Sequence, residues 1–465
     1  MGNKYIKLIK DTLVYAIGGI GSKMILFFLV PLYTNYLSTE EYGTADLIFT
    51  VSQLIVPFIG VVIQDAVVRF ALSKEEQRDN VLLSSLIVWF VGSLASVLIT
   101  PLIGLYEPVA PWKWHLCIYM MINMMLLIGL NYIKAKERNK LYSVISIVQT
   151  FTMAVSNILL IAVFPLGVDG YVTANILGNL VAVVGIFIFG GLFGDLKRAK
   201  LSLPLMKRML LFSAPLILNN VSWWAIYSAN KVIVELALGA SVLGIYTVAT
   251  KLPSLINVVI SIFQQSWGIS TVKEIESSND TRFYSNIFGA FSFVAFAMSF
   301  GLILIIKPLM TVYVGDDFFI AWKYVPLLLV GATFSAISSF FVSLYAALKK
   351  SLNNMLTTLA GALINVVVSI LLIQHVDLWG AIIGTFLAYF VMATVRMIDV
   401  LRYIKIDICL PRFILNSALL IADAVLVSLE IHIYLVAAVS LVLFVLINIS
   451  LMKSILSLVF RRKRV

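Results

Sequence analysis

Long apolar stretches alternate with short polar loops along this chain, and that alternation constrains its fold more than any other feature. Each stretch is long enough, at 1.5 Å rise per residue, to cross an apolar core roughly 30 Å thick. Hydrophobic residues make up 61% of the chain and charged residues 12%, a composition outside the soluble range. About fourteen spans are predicted, near residues 12–36, 42–72, 80–105, 113–133, 141–163, 171–193, 209–235, 242–272, 283–306, 324–348, 353–373, 378–400, 413–430 and 433–452.

The 34 Lys and Arg residues fall mainly in every second loop, and this distribution predicts an orientation. With the amino terminus inside, 26 of them lie on the cytoplasmic side, and 5 lie within or at the edge of spans. Only 3 lie outside, namely Lys113, Lys307 and Lys323. The positive-inside rule therefore predicts that both ends of this multi-pass chain are cytoplasmic.

Several function classes are not expected for such a chain. The net charge of the chain is +11. Its basic residues border membrane spans on the side that faces anionic lipid, so no nucleic-acid partner is predicted. The two cysteines, Cys117 in a span and Cys409 in a cytoplasmic loop, are not expected to pair. The three histidines lack metal-ligand spacing, and neither a metal nor a cofactor is predicted. The loops are too short for an enzyme domain, so no catalytic residue is predicted.

Two halves of the chain resemble each other. Residues 42–44 align with residues 243–245, and residues 168–171 align with residues 378–381. Six spans per half is an even number, so the copies are expected to be parallel, with pseudo-twofold symmetry around a central cavity. Shared hydropathy is the alternative explanation of the match. The predicted organisation is two six-helix lobes, residues 1–203 and 204–405, followed by two extra helices and a basic tail, residues 406–465.

Three stretches of sequence carry a family resemblance. Residues 22–47 combine an apolar first span, a turn containing Tyr42 and Gly43, and the start of the second span. Two later stretches, residues 315–327 and 344–389, contribute to the same resemblance through the order and spacing of their residues. The chain resembles the polysaccharide repeat-unit flippases of the multidrug/oligosaccharidyl-lipid/polysaccharide exporter superfamily, over roughly residues 5–400.

This resemblance implies a function and a set of partners. The implied cargo is an undecaprenyl-diphosphate-linked oligosaccharide, moved from the inner to the outer leaflet of a bacterial cytoplasmic membrane by alternating access. Such transport serves O-antigen, capsule or similar surface polysaccharide. Membrane lipid, a coupling H⁺ or Na⁺ and the glycan polymerase machinery are the other expected partners. Fourteen spans also suit the lipid II flippases, which leaves the exact substrate open.

Four cations within or near spans are the predicted contacts of a diphosphate head group. An ionised side chain at a helix centre costs about 2.5–3.5 kcal/mol, so it should face a cavity or a partner. A diphosphate in low-dielectric surroundings needs such charges because Coulomb attraction grows as water is excluded. The candidates are Lys23, Arg69, Lys231 and Lys251.

Aromatic residues before Lys231 add a second part to the predicted site. Trp223, Trp224 and Tyr227 offer flat faces to sugar rings, although helix packing is the commoner role of such residues. Because Glu235 follows Lys231 by four residues, the two side chains can instead neutralise each other on one helix face.

The membrane carboxylates predicted to take part in ion coupling are Asp46, Asp65 and Glu235, with capping or pairing as the alternative role of each. Asp65 precedes Arg69 by four residues, which permits a purely structural pair. Arg396, with Asp399, is interpreted as a residue of the membrane boundary.

Three functions compete at this point. The interior of the predicted spans contains four basic residues and three acidic residues. This small excess of positive charge favours an anionic cargo and hence the flippase. A cation-coupled multidrug exporter of the same superfamily should have a cavity dominated by acids and aromatics. A glycan polymerase or glycosyltransferase would need a sizeable polar loop, which this sequence does not contain.

Overall fold

The protein is all-helical. The computed structural model describes residues 24–73, 76–277 and 281–453, and this part of the chain contains helices and turns but no strand. Its helices divide between two compact units, Met1–Glu235 with Gly239–Gly244, and Leu236–Leu238 with Ile245–Val465. The all-helical class predicted from the sequence is confirmed, whereas the lobe boundaries proposed above stay a prediction.

The described part of the first unit contains α-helices, a 3₁₀ segment, Ala110–Trp112, and a π-helical segment, Ile158–Val163. In chain order the helices are α1 Val30–Tyr36, α2 Thr39–Ile59, α3 Ile63–Leu72, α4 Arg78–Ile103, α5 Lys113–Ala135, α6 Asn139–Asn157, α7 Gly167–Gly190, α8 Leu192–Arg198, α9 Leu203–Tyr227 and α10 Ala229–Leu238. Helix α9 packs against α2, α3 and α4 within this unit.

The second unit contains the remaining helices and a 3₁₀ segment, Asp316–Lys323. The helices from the junction onward are α11 Ala240–Ala249, whose residues up to Gly244 belong to the first unit, α12 Lys251–Ser277, α13 Thr281–Tyr313, α14 Val325–Ala347, α15 Ser351–Val376, α16 Leu378–Leu401, α17 Leu410–Ser428 and α18 Ile433–Ile447. Apolar α14 forms the centre of this unit, because α12, α13, α16 and α17 all pack against it.

Helix length and hydropathy make this a multi-pass membrane protein. Eleven described helices are long and apolar enough to span a membrane, and the number rises to 12 if the bent pair Ala240–Ala249 and Lys251–Gln264 forms one span. Two shorter apolar helices, Met24–Tyr36 and Ile433–Ile447, fall below that length. The predicted number of fourteen spans therefore stays a prediction.

Local sequence explains where α2 begins and ends. The Ser38 hydroxyl accepts a hydrogen bond from the Glu41 N–H, and the Glu41 carboxylate accepts one from the Ser38 N–H. This capping box satisfies two helix-end donors. The predicted second span is interrupted after Ile59, where Val61 and Val62 take positive φ values of 49° and 50°, a conformation that is rare for β-branched residues.

The predicted seventh span is also interrupted. Helix α9 ends at Tyr227, and α10 begins at Ala229 after Ser228, which has a non-helical φ of −128°. The Ser228 hydroxyl donates to the Gln53 side-chain oxygen of α2 at 3.4 Å. The break thus lies beside α2 and sets the direction in which α10 presents its charged residues.

Candidate functional site

An ion pair between α2 and α10 forms the centre of the site. The Lys231 ammonium lies 2.7 Å from an Asp46 carboxylate oxygen, and the two side chains are only 18% and 11% exposed. Two opposite charges removed from water require such close pairing. The pair therefore places one anionic and one cationic group side by side in the first unit.

Glu235, one turn after Lys231, has a different partner. The hydroxyl of Tyr106, from the segment after α4, donates a hydrogen bond to the Glu235 carboxylate. Lys231 is therefore paired with Asp46 of another helix, and the i,i+4 pair with Glu235 considered from the sequence is not the ion pair that the structure contains. Buried Glu235 keeps a hydroxyl donor that compensates its desolvation.

The three aromatic residues that precede Lys231 make two kinds of contact. The rings of Trp223 and Tyr227 stack with centroids 5.5 Å apart and an interplanar angle of 13°. Tyr227 is 50% exposed, so this stack presents aromatic surface. The Trp224 indole N–H instead donates to the Thr50 carbonyl at 2.9 Å and fixes α9 against α2.

Asp46 is held in place by an aromatic cluster of the first unit. Tyr42 and Phe49 lie about one turn to either side of it on α2. Tyr171 of α7 contacts both, with centroids 6.0 Å and 5.7 Å away, and Tyr33 lies 4.7 Å from Tyr171. Close-packed rings limit the motion of a backbone. The Asp46 side chain therefore lies in a densely packed part of α2.

The other predicted cations lie elsewhere or outside the described part. Lys23 is outside the described residues. Arg69 lies on α3, and its guanidinium is 4.3 Å from the ring centroid of Phe212. Phe212 is 11 residues from Trp223 along α9, about 16 Å at 1.5 Å per residue. Lys251 is half-buried at the start of α12 in the second unit.

Arg69 and Asp65 are both exposed on α3. A cation–π contact with Phe212 is the interaction that the structure gives Arg69. Asp65 thus lies on a different helix from those that carry Asp46, Lys231 and Glu235. Of the ten predicted site residues, the structure brings six into the region around α2, α9 and α10, namely Asp46, Trp223, Trp224, Tyr227, Lys231 and Glu235.

Arg396 has a packing role that the sequence interpretation did not include, whereas its position at the membrane boundary stays a prediction. Its side chain is completely buried, and its guanidinium donates to the hydroxyls of Ser338, Thr357 and Thr358 at 2.7–2.9 Å. These partners lie on α14 and α15. A guanidinium offers five donors in a fixed fork, so Arg396 of α16 joins three helices inside the second unit.

Two residues of the site had no place in the sequence interpretation. Gln53 is an amide within an apolar span, and such a polar residue in a membrane helix is itself a usable signal. Tyr106 lies between predicted spans, where nothing in the neighbouring sequence marks it. Its role follows only from the proximity of that segment to Glu235 in the folded chain.

Residues 8–267 match the family model described as "Polysaccharide biosynthesis protein", which is more than half of the 465 residues. The chain belongs to the polysaccharide biosynthesis protein family. The matched range includes Asp46, Tyr106, Lys231 and Glu235. Among curated proteins, none matches this chain.

Solved structures show that this chain has the fold of known transporters. A multidrug resistance MATE family transporter of the MOP superfamily, in an inward-facing conformation, is similar with a TM-score of 0.62 and 14% identity over 81% of this chain and 98% of that chain. A MOP superfamily transporter from Pyrococcus furiosus, described as having a binding pocket of reverse polarity, gives 0.59 and 16% over 84% and 95%. At this identity the likeness concerns the fold.

Proposed function

We propose that this protein is a flippase that moves an undecaprenyl-diphosphate-linked oligosaccharide from the cytoplasmic to the outer leaflet of a bacterial cytoplasmic membrane. Alternating access of the two lobes carries the cargo, which serves surface polysaccharide such as O-antigen or capsule. Both termini are cytoplasmic in this proposal. The glycan polymerase machinery is the partner that receives the flipped unit.

One observation carries the proposal. A largely buried ammonium, Lys231, follows a stacked and partly exposed aromatic pair, Trp223 and Tyr227, across the short break at Ser228. A lipid-linked sugar diphosphate needs a cation for its phosphates and flat apolar faces for its sugar rings. Membership of the polysaccharide biosynthesis protein family supports the same class of cargo.

The ion pair supplies a mechanism for binding and release. An ammonium has three donors, and in the empty site Asp46 compensates its charge. When the cargo enters, a diphosphate oxygen replaces the carboxylate at Lys231, and a proton or Na⁺ neutralises Asp46. Loss of that ion restores the Asp46–Lys231 pair and weakens the hold on the cargo. Asp46 is thus the ion-coupling residue, with Glu235 as a second carboxylate.

The remaining predicted residues extend this site in the proposal. Lys23, Arg69 and Lys251 are further contacts of the head group along its path. Asp65, in the first turn of α3, is a further ion-coupling carboxylate. Their participation depends on the conformational cycle, whereas Asp46 and Lys231 already lie within hydrogen-bonding distance.

The decisive experiment separates cargo binding from structural pairing. Lys231→Met removes the charge at nearly constant length and leaves Asp46 unpaired. The double variant Asp46→Asn/Lys231→Met removes both charges and restores a neutral contact. Purified variants in proteoliposomes are assayed with a fluorescent polyprenyl-diphosphate oligosaccharide, whose transfer is read by an impermeant quencher.

We expect the double variant to fold like the wild type and yet to transport no cargo, whereas Lys231→Arg keeps part of the rate. Lys200→Ala replaces an exposed residue. This variant is the control and should transport normally. If the double variant regains transport, Lys231 is only a structural partner of Asp46, and the proposed role of the ammonium is wrong.

A second candidate, a cation-coupled multidrug exporter, is favoured by one specific feature. Two carboxylates, Asp46 and Glu235, accompany the single ammonium Lys231 in the described part of the site. This balance would suit a cationic drug, and solved relatives include multidrug resistance transporters. The same proteoliposomes loaded with a cationic dye distinguish the two functions. Dye efflux that Asp46→Asn abolishes, without transfer of the glycolipid, would favour the exporter.

A further inference from the structure

Two carboxylates compete for Lys231 in the first unit, and the structure pairs it with the one that is farther away in sequence. The Lys231 ammonium lies 2.7 Å from Asp46 of α2. Glu235 follows Lys231 by four residues on α10, a spacing at which opposite charges on one helix can meet. The Glu235 carboxylate instead accepts the hydroxyl of Tyr106. Tyr106 therefore occupies the acid that is closest to Lys231 along the helix.

Tyr106 lies in a tightly turned segment between α4 and α5. Its N–H donates to the Ile103 carbonyl at 3.0 Å, and its own carbonyl accepts the N–H groups of Val109 and Ala110 at 3.1 Å and 3.0 Å. Val109 is completely buried. Backbone hydrogen bonds on both sides of Tyr106, together with this buried side chain, fix the backbone that carries its ring.

The same segment is packed closely against α5. A Cβ on Gly104 would lie 2.9 Å from the Cδ atom of Lys113, which is the first residue of α5. The absence of a side chain at Gly104 lets the Lys113 stem cover the segment. The position of Tyr106 thus follows from contacts with α4 and α5 and does not depend on its hydrogen bond to Glu235.

The Tyr106 hydroxyl is a lasting donor. Burial, the hydrogen bond to Glu235 and the negative charge of that carboxylate raise the pKa of Tyr106 well above its ordinary range. The phenol therefore stays protonated at physiological pH and keeps its one O–H for donation. Because the phenol is neutral, it compensates Glu235 without adding a charge beside Lys231.

Glu235 needs a partner in any state of the site. It is only 8% exposed, and a carboxylate removed from water requires a donor or a cation. Lys231 is the cation of α10. Without the Tyr106 hydroxyl, Glu235 would turn to Lys231, and two carboxylates would share one ammonium.

We propose that Tyr106 is a positioning residue that holds Glu235 away from Lys231, so that the ammonium can exchange Asp46 for an anionic cargo. The effect on cargo rests on the function proposed above. The effect on the partner of Lys231 does not, because Asp46, Tyr106, Lys231 and Glu235 all belong to the first unit and make their contacts without cargo.

The first experiment needs no cargo. Melting temperatures in detergent are measured for Lys231→Met, Glu235→Gln and their combination, once in the wild type and once in Tyr106→Phe. In the wild type the two shifts should add, since Lys231 and Glu235 have separate partners. In Tyr106→Phe the combined shift should fall short of the sum by about 1–3 °C, because both substitutions break the same new pair. Additive shifts in both backgrounds would overturn the proposal.

The second experiment measures transport in the proteoliposomes described above. Since a hydrogen bond to a charged group commonly changes an equilibrium constant about tenfold, Tyr106→Phe should raise KM for the glycolipid about tenfold with little change in kcat. Tyr106→Phe/Glu235→Gln should have the KM of Glu235→Gln, because a neutral amide does not compete for the ammonium. Tyr36→Phe, at a tyrosine that is 57% exposed, is the control and should behave like the wild type.

The outcomes separate this proposal from the proposed function. An unchanged KM in Tyr106→Phe would overturn the positioning role. A raised KM that persists in the Glu235→Gln background would make Tyr106 a packing residue and overturn it as well. If the wild type transfers no glycolipid, the proposed function is wrong, and the melting experiment still decides which carboxylate Lys231 meets when Tyr106 loses its hydroxyl.

Discussion

At the scale of single residues, two glycines determine how closely α2 and α11 approach in the first unit. A Cβ on Gly43 would overlap the Ala240 carbonyl oxygen and lie 2.8 Å from the Gly244 nitrogen. A Cβ on Gly244 would overlap the Thr39 carbonyl in turn. Gly43 and Gly244 are also the glycines that the repeat alignment superposes. Small residues at such positions let two backbones come into direct contact.

Gly43→Ala should therefore destabilise the protein. The neighbouring atoms belong to backbone that cannot move aside, and overpacking of this kind costs about 1–3 kcal/mol. The expected result is a lower melting temperature of the purified protein in detergent. The control is Gly194→Ala, because a Cβ on Gly194 meets nothing within 4 Å. A Gly43→Ala variant that melts like Gly194→Ala would contradict the close approach.

Residue partners were harder to predict than residue types. The sequence identified Asp46, Lys231 and Glu235 as charges within membrane spans, and all three are largely buried. Spacing along one helix suggested a Lys231–Glu235 pair, whereas the observed partner, Asp46, lies 185 residues earlier. Contacts between distant segments depend on how helices pack together. The i,i+4 rule predicts only neighbours within one helix.

At the scale of helices, Arg396 shows how a charge can stabilise the interior of a unit. It lies on α16 and donates to hydroxyls of α14 and α15. Thr357 and Thr358 are consecutive on α15, so the guanidinium spans adjacent positions of one helix while reaching Ser338 on another. In a membrane these helices have no hydrophobic driving force to bring them together, which makes such hydrogen bonds useful.

Arg396→Lys should weaken the packing of these three helices. A lysine keeps the charge but cannot present donors in a planar fork, so at least one of the hydroxyl contacts is lost. We expect a loss of about 1–3 kcal/mol, read as a lower melting temperature in detergent. Arg402→Gln is the control, since that side chain is 71% exposed and its contact with Asp399 is long, at 3.8 Å. Equal melting of both variants would refute the packing role.

The helices themselves were largely predictable, and their breaks were not. The predicted span at residues 378–400 corresponds closely to Leu378–Leu401, and that at 324–348 to Val325–Ala347. Hydropathy remains high across the interruption between Ile59 and Ile63, so a span at 42–72 looked continuous. Gly60 was the local hint, because glycine permits backbone conformations that end a helix. Ser228 gave no comparable signal.

At the scale of the whole molecule, alternating charge predicts which side of the membrane each loop faces. Three long helices, α14, α15 and α16, lie between Asp316 and Cys409. An odd number of crossings places these two positions on opposite sides. Since Cys409 is exposed and Cys117 is buried, the native cysteines already provide one usable reporter.

An impermeant maleimide should therefore label the wild type in inside-out vesicles and leave it unlabelled in right-side-out vesicles. Cys409→Asn should abolish this labelling, since Cys117 is shielded and asparagine tolerates the left-handed φ of 50° at this position. Placing a cysteine at Asp316 in that background should reverse the pattern. Labelling of both positions from one side would contradict either the number of crossings between them or the assignment of α14, α15 and α16 as spans. Reversal of both patterns together would leave the helices intact and invert the orientation, so the experiment tests the charge rule separately from the fold.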